Sequence, residues 1–561
     1  MPQKVNYERE LENLKTDEES DFRFQERRHQ QWKDNYHLFR DTVQVNRLTQ
    51  RQSVNIPLMK VSIKTNLAGL DQFNQVEFEE LGNNKDKEIL FNAYWQDTVT
   101  RDRMELKDVV DKKQEQLYGI TWTKLNIRNG RFETEIREPW DILKDRYADP
   151  TDYDNTAHHL IEGNIFRTFD QLEGNPNYNR DAIKRLKVFY ASKQGLLRAE
   201  EVARMMQAKN ERLGEMGVPD IDNPQLGHTV VELKAYFVKV WDDKDQEEHI
   251  HLIVRADTEI LMAKPLKEIL GINFFPFVGW SSDPERNEQY PDGTADSIRT
   301  LNQVLNVWFS QLTENRTMRN MNMNFYDATA NPEWVPQMFE AIPFGWYPLP
   351  GKPGEVYQNV EIQELSESID EMNFLMKLGE SVSGATPTTK GETEQQKVTL
   401  GEVELALGQA KERISATNKF SMLAQKEKAE KFAKLVNANP EKLEAVKLYK
   451  KSFKGNMVEK VANPNEWRSE KGYNCRVVST AEKEAKTVES LQKMNAARQF
   501  FPGNMAFDRI TKEKVLDFIG LNPEQTKEVM EVDTGLQNQG MIMGQMNPSA
   551  PVPAINQPQP I

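Results

Sequence analysis

Apolar residues recur with helical spacing in some stretches of this chain and alternate in others. Residues 86–118 carry an intermittent apolar face of Ile89, Leu90, Ala93, Tyr94, Val109, Val110 and Leu117, which predicts one long helix. Gly119 should end it, because glycine readily enters the left-handed conformation that closes helices. Ile120–Ile127 and Arg131–Ile136 flank the dipeptide Asn129-Gly130, a strong hairpin signal. Residues 229–262 predict a β-meander: VVELKAYFVKVW, a DDKDQ turn, then HIHLIVRADTEILM. Asn273–Trp280 reads as a buried aromatic strand or strand end. Ile56–Ile63 alternates loosely before a polar loop, and 171–212 reads as helical and polar.

The middle of the chain changes rhythm. After Pro291 and Gly293 a helix is predicted, with Asp296 or Ser297 as its cap. Ile298, Leu301, Leu305, Phe309 and Leu312 fall on one of its faces. Asn302, Asn306, Asn320, Asn322 and Asn324 make the remainder unusually amide-rich. Residues 325–362 then crowd proline, glycine and aromatic residues, among them Trp334, Phe344 and Trp346, and predict a small β-containing insert. Helix resumes near Leu365 and runs to about Val382. A glycine- and threonine-rich loop follows, and a helix from Leu400 to Asn437 is stopped by Pro440. Residues 441–480 predict a short helix with strands, and 481–500 and 512–532 predict helices. Residues 534–561 contain no charged residue and read as a disordered tail. The order helix, insert, helix, loop, long helix describes a chain that goes out, builds a small module and returns. That path suits a tube wall better than an enzyme pocket.

Composition narrows the picture. A length of 561 residues exceeds one ordinary core, so several compact parts are expected. With 29% charged and 38% hydrophobic residues, the protein is polar and helix-rich, with much wetted surface. A net charge of −14 argues against a free-standing grip on DNA, which needs clustered lysine and arginine. The single Cys475 excludes an internal disulfide framework and a cysteine-based zinc site, and suggests synthesis in a reducing, intracellular place. No apolar run approaches the ~20 residues of a membrane span. The first twenty residues are charged throughout and do not read as a signal peptide. Residues 1–52 read as a charged N-terminal arm, either a surface helix or a segment ordered by a partner.

Candidate chemistry is sparse. No GxxxxGK[ST] phosphate loop is present, and Gly384–Gly391 lacks both its spacing and a preceding apolar strand, so an ATPase is disfavoured. There is no GxSxG elbow, and Cys475 has no histidine nearby in sequence. His249 and His251 would share a strand face that a metal could use, but they equally fit a polar strand beside Glu247 and Glu248. Asp149, Asp152 and Asp154 resemble part of a calcium loop without its sixth-position glycine and closing glutamate, so a solvated turn is expected. No cofactor is implied, and no residue is committed to catalysis. The loop from Gly384 to Lys397 sets Lys390 and Lys397 against Glu392 and Glu394 and adds the hydroxyls of Thr386, Thr388, Thr389 and Thr393. It is either a slack connection or a functional loop, since structureless loops longer than ~12 residues are usually functional or disordered.

Three passages carry a resemblance. YGITWTKLNIRNGRFETEIREPWDILKDRYADPTDYDNTAHHLI, YPDGTADSIRTLNQVLNVWFSQLTENRTMRN and ESVSGATPTTKGETEQQKVTLGEVELALGQAKERI follow in that order, and together resemble the portal proteins of tailed double-stranded DNA bacteriophages, of the larger podovirus-like type. The likeness spans most of residues 30–530. It implies a helix-rich α+β portal fold with wing, stem, clip and crown, assembled as a ring of about twelve subunits around a central channel. The wing would comprise residues 53–291 and 399–480, and the stem helices 292–324 and 364–382. The clip would be 325–363, with Trp334, Phe344 and Trp346, and the tunnel loop 383–398. A crown-like helical region would occupy 481–533. Leu301, Leu305, Phe309 and Leu312 would pack the stem against neighbouring subunits. Thr386, Thr388, Thr389, Lys390, Thr393 and Lys397 would touch DNA in the channel.

The resemblance further implies a non-enzymatic head-to-tail connector, made in the host cytoplasm and placed at the unique capsid vertex of the virion. Its expected partners are DNA in transit, the terminase large subunit, head–tail adaptor or tail proteins, the major capsid protein and the scaffold, with no membrane. Another virion structural or assembly protein, such as a scaffold or adaptor, is the alternative; a metal-dependent DNA-processing enzyme fits less well.

Overall fold

The computed structural model describes residues 7–40, 55–70, 73–192, 194–195, 198–202, 229–242, 246–286, 288–320, 324–326, 357–359, 367–383, 400–451, 457–478 and 512. The described elements are α+β. They divide into two compact units: Met1–Asp71, Leu106–Asn126 and Thr134–Glu427 form the first, and Gln72–Glu105, Ile127–Glu133 and Lys428–Ile561 the second. Residues 72–105 and 127–133, read from the sequence together with 53–291, thus cluster with the C-terminal part of the chain.

The first unit is built on a five-stranded antiparallel sheet, in the order Ile142–Lys144, His159–Thr168, Val230–Asp242, Glu247–Ala256, Glu259–Pro265. The last three are the predicted meander, paired by consecutive turns. The strand His159–Thr168 breaks register between Glu162 and Ile165, where Asn164 takes a positive φ of 53°. Leu11 and Leu14 of the helix Tyr7–Arg40 pack on this sheet against Ile161, Tyr236, Val238 and Ile253. The reading of residues 1–52 as a charged surface arm is therefore corrected for this helix. Most of its charges are exposed or half-buried, but Asp21 is buried beside His159 at 2.7 Å, and Leu14, Gln25, Trp32 and Asn35 lie at 1% exposure or less.

The predicted long helix over 86–118 is two helices, Lys85–Arg101 and Met104–Tyr118. Arg103 turns left-handed between them, with φ of 52°. The first half contributes Leu90, Phe91, Tyr94 and Trp95 to the second unit, and the next helix belongs to the first unit from Leu106 onward, so one continuous apolar face was never required. Ile56–Ile63 also departs from expectation, because Leu58–Leu70 is helical. The region 171–212, read as helical and polar, includes among its described residues part of the short helix Phe169–Glu173 and the helix Arg180–Ala191. The hairpin Thr121–Arg128/Arg131–Arg137 forms as read, and Asn129 and Gly130 have φ of 51° and 75°, the positive pair a tight hairpin turn requires.

The second unit pairs strand Gln75–Glu80 with Tyr473–Val478, segments far apart in sequence. Its core is aromatic. Phe91 stacks on Tyr473 at 3.9 Å between ring centroids, Tyr94 on Trp467 at 4.6 Å, and Phe432 meets Trp95 and Phe132 edge-on, each at 4.7 Å. The Asn92 side chain accepts from Phe78 N and donates to Phe78 O, tying helix to strand. Cys475 is buried.

Candidate assembly surface on the paired helices

The predicted out-and-back helices are Thr294–Asn320 and Glu367–Ser383, and they pack together. The ends of the intervening insert meet as a small antiparallel pair, with Phe325 opposite Gln358. The long helix after the loop runs Leu400–Ala438.

The root of the first helix is set by close backbone contact. A Cβ on Gly119 would lie 1.9 Å from the Pro291 carbonyl oxygen, and one on Gly293 would lie 2.7 Å from the Gly119 nitrogen. Only two glycines allow the end of Met104–Tyr118 and the start of Thr294–Asn320 to come this near. Asp296, expected as a first cap, acts from the third helical position instead: its Oδ2 accepts from Gly293 N at 2.9 Å. Its Oδ1 accepts from Asn35 Nδ2 at 3.0 Å and from Arg299 Nη1 at 2.7 Å. Trp32 donates to the Tyr118 carbonyl and Asn35 to that of Leu117, so the N-terminal helix clamps the same junction.

Two of the sequence's asparagines act as an external cap. Asn302 Oδ1 accepts from Met59 N at 2.9 Å, and its amide donates to the Ile56 carbonyl at 3.0 Å. Asn306 Oδ1 accepts from Ile56 N at 2.8 Å. The bond to Met59 N satisfies a donor that the start of helix Leu58–Leu70 leaves unpaired, and the other two hold the backbone of Ile56 just before it. The amide richness was visible in the sequence, but its targets lie some 240 residues away.

Below this cap, Leu58, Ile298, Leu305 and Met372 form a buried cluster, against which Phe309 and Leu312 pack. Leu301 is half-buried. The expectation that Leu301, Leu305, Phe309 and Leu312 meet neighbouring subunits is corrected for Leu305, which is fully buried within its own subunit, while Phe309 and Leu312 are half-buried. Helices Leu58–Leu70 and Glu367–Ser383 of the same chain pack on that face, the latter through Met372 and Leu375.

What remains open is different. On Glu367–Ser383 the inward residues are Met372, Leu375 and Gly379, whose Cβ position lies 2.6 Å from Leu58. At about 100° per residue, Phe374, Leu378 and Val382 lie on one flank of that inward face and Ile369 and Met376 on the other. All five are exposed, Phe374 at 67%. Val307 on the companion helix is 54% exposed.

The remaining candidates separate plainly. Thr386, Thr388, Thr389, Lys390, Thr393 and Lys397, and also Trp334, Phe344 and Trp346, lie outside the described residues, as do 481–511 and 534–561. Asp149 accepts from the backbone N and hydroxyl of Thr151, which holds its carboxyl below the usual range, and Asp152 accepts from Asn155. His251 meets the Tyr7 hydroxyl at 3.0 Å, and burial lowers its pKa. Among the described residues no three His, Cys, Asp or Glu side chains gather as a metal-ion site, and no helix is long and apolar enough to cross a membrane.

Several buried charged groups escaped the sequence reading, among them Lys144, Glu115 and Glu162. Lys144 donates to the Gln289 carbonyl at 2.9 Å, with Trp122, Tyr153 and Tyr290 around it, and burial lowers its pKa to about 7. Glu115 accepts from Ser282 N at 2.8 Å, its other oxygen has no hydrogen-bond partner among the described residues, and burial raises its pKa to about 7. Glu162 is fully buried yet stays low in pKa: Lys124 at 2.6 Å and Arg137 outweigh the desolvation that opposes its charge. No protein family matches the chain, and no curated protein sequence matches it.

Proposed function

We propose that this chain is the portal protein of a tailed double-stranded DNA bacteriophage. It forms the ring-shaped channel at the unique capsid vertex, through which the genome is packaged and later ejected. The observation that carries the proposal is the paired-helix module with apolar residues on both flanks of Glu367–Ser383. A subunit in a closed head-to-tail ring has a neighbour on each side, and the two contacts use different patches. Phe374, Leu378 and Val382 supply one patch, and Ile369 and Met376 the other.

The electrostatics fit a conduit. Each retained phosphate contact strengthens binding and slows sliding, so a channel protein needs weak, mobile contact with DNA. The net charge of −14 suits that need, as does the charge-balanced loop 383–398. The insert between the paired helices would meet the terminase during packaging and the adaptor or tail proteins afterwards.

Negative-stain imaging of the purified chain tests the ring: images should show closed rings with a central hole. A monomer that persists at micromolar concentration, even with scaffold present, would overturn the proposal. A second test separates assembly from channel function. Deleting 383–398 should leave rings intact and impair DNA packaging or retention, and full-length packaging by that variant would remove the tunnel-loop assignment.

A further inference from the structure

The inward stripe of the helix Tyr7–Arg40 is unusual in composition. Leu11 and Leu14 begin it, and Asp21, Gln25, Arg28, Trp32 and Asn35 continue it at intervals of three or four residues, on one face. Asp21, Gln25 and Asn35 are at most 3% exposed, and they act through directional bonds. Gln25 Nε2 donates to the carbonyls of Pro139 at 2.7 Å and Ile142 at 2.8 Å, and Arg28 pairs with Asp292. Trp32 and Asn35 grip Tyr118, Leu117 and Asp296 at the root of the paired helices. Asp21 to Asn35 spans about 21 Å at 1.5 Å per residue, so one helix ties the five-stranded sheet to that root.

One bond in this series turns on a proton near neutral pH. Asp21 Oδ2 meets His159 Nε2 at 2.7 Å, where the helix crosses the start of strand His159–Thr168. Carboxylates crowd this joint: Asp17 and Asp21 from the helix, and Asp145 from the loop after strand Ile142–Lys144. Asp145 accepts from the backbone N of Tyr147 and of His158, each at 2.9 Å. The Tyr153 hydroxyl accepts from Asp145 N at 2.9 Å and donates to the His159 carbonyl at 2.7 Å. Arg146 gives Asp21 its backbone N at 3.4 Å, while its guanidinium lies over Tyr147. The His158 ring stands edge-on to that of His159 at 5.8 Å. Lys239 on the adjoining strand donates to the Asp154 and Asn155 carbonyls, Lys144 to that of Gln289, and Gln25 to the Tyr290 hydroxyl.

We propose that the helix Tyr7–Arg40 is a pH-sensitive strap, latched by Asp21 and His159, whose release at alkaline pH loosens the root of the paired helices. Burial disfavours the imidazolium, but the Asp21 bond and the charges of Asp21, Asp145 and Asp17 outweigh it and raise the His159 pKa above its ordinary 6.5. Burial raises the Asp21 pKa as well, against the opposing bond to His159. The folded protein therefore keeps a proton that the unfolded chain has released. The latch's contribution is complete below pH 6.5 and is lost as pH rises through the folded value. Deprotonation then leaves Asp21 as a buried carboxylate without its counter-charge.

Hydrogen exchange on the full chain, corrected for the intrinsic rate at each pH, tests the strap. Between about pH 6 and about pH 9, protection over residues 11–35 should fall about tenfold, the change that one pKa unit carries. Amides at 117–119 and 293–299 should lose protection with it. His159→Gln should show the low protection at both pH values. Asp21→Asn keeps an acceptor for neutral His159 without the charge, and should make protection independent of pH. If neither variant folds, the wild-type profile carries the test. Wild-type protection that does not change with pH overturns the proposal, as does a pH response that survives both substitutions. Equal loss over strand Val230–Asp242 would mean general unfolding and also overturns it. A helix that loosens while the root keeps its protection overturns the coupling on which the strap depends.

Discussion

Gly119 and Pro291 approach so closely that a single methyl group on Gly119 would sit 1.9 Å from the Pro291 carbonyl oxygen. Gly119 also has φ of +76°, which costs an L-residue roughly 1–2 kcal/mol before any clash. Gly119→Ala should therefore destabilise the first unit by more than about 2 kcal/mol and lower its thermal midpoint. Gly163→Ala, where the methyl meets open space, is the control and should stay close to wild type.

The paired helices separate folding from assembly. Leu305 is fully buried, so Leu305→Ala should cost about 2–5 kcal/mol in denaturant unfolding. Phe374→Ser and Leu378→Lys alter exposed positions and should leave monomer stability within about 0.5 kcal/mol. Sedimentation should nevertheless show the exposed variants stalled as small species. Equal loss of stability in both sets would mean that the flanks serve the subunit's own fold.

Glu162 lies between Lys124 and Arg137, and removing its charge leaves two cations facing each other. Glu162→Ala should destabilise by about 3–5 kcal/mol, the usual penalty for breaking a buried ion pair from one side. Adding Lys124→Met should recover part of that loss, and a double-mutant cycle on thermal midpoints would measure it.

Lys144 and Glu115 give stability opposite slopes on either side of neutrality. The folded pKa of Glu115 is raised to about 7 from an ordinary 4.5. The folded protein thus holds an extra proton between those values, and stability falls as pH rises from 4.5 to about 7. The folded pKa of Lys144 is lowered to about 7 from 10.5. There the unfolded chain holds the extra proton, so stability rises with pH from about 7 to 10.5. Lys144→Met should flatten the alkaline rise and Glu115→Gln the acidic fall, read as thermal midpoints across pH. Unchanged slopes in the variants would show that other groups set the pH response.

Much of the local structure is legible from short-range pattern. Asn129-Gly130, the meander, the two paired helices and the long helix to Ala438 all fall within a few residues of their predicted limits. Each depends on spacing and turn chemistry within its own segment, which sequence records directly. The break at Arg103 does not, because the apolar residues on either side serve different compact units.

The candidate surface divides the same way. The sequence by itself determined that two amphipathic helices leave and return around an insert, and that Leu305, Phe309 and Leu312 share an apolar face. Which partner covers that face was a tertiary decision. Leu58, Met372 and Leu375 pack on it from within the chain, and the apolar residues left exposed on Glu367–Ser383 are Ile369, Phe374, Met376, Leu378 and Val382. The roles of Asn302, Gly293 and Lys144 were likewise decided only on folding. A helix's periodicity states that a face is apolar, or that an amide or glycine lies on it, but the atoms that satisfy it come from distant segments whose position local spacing does not encode.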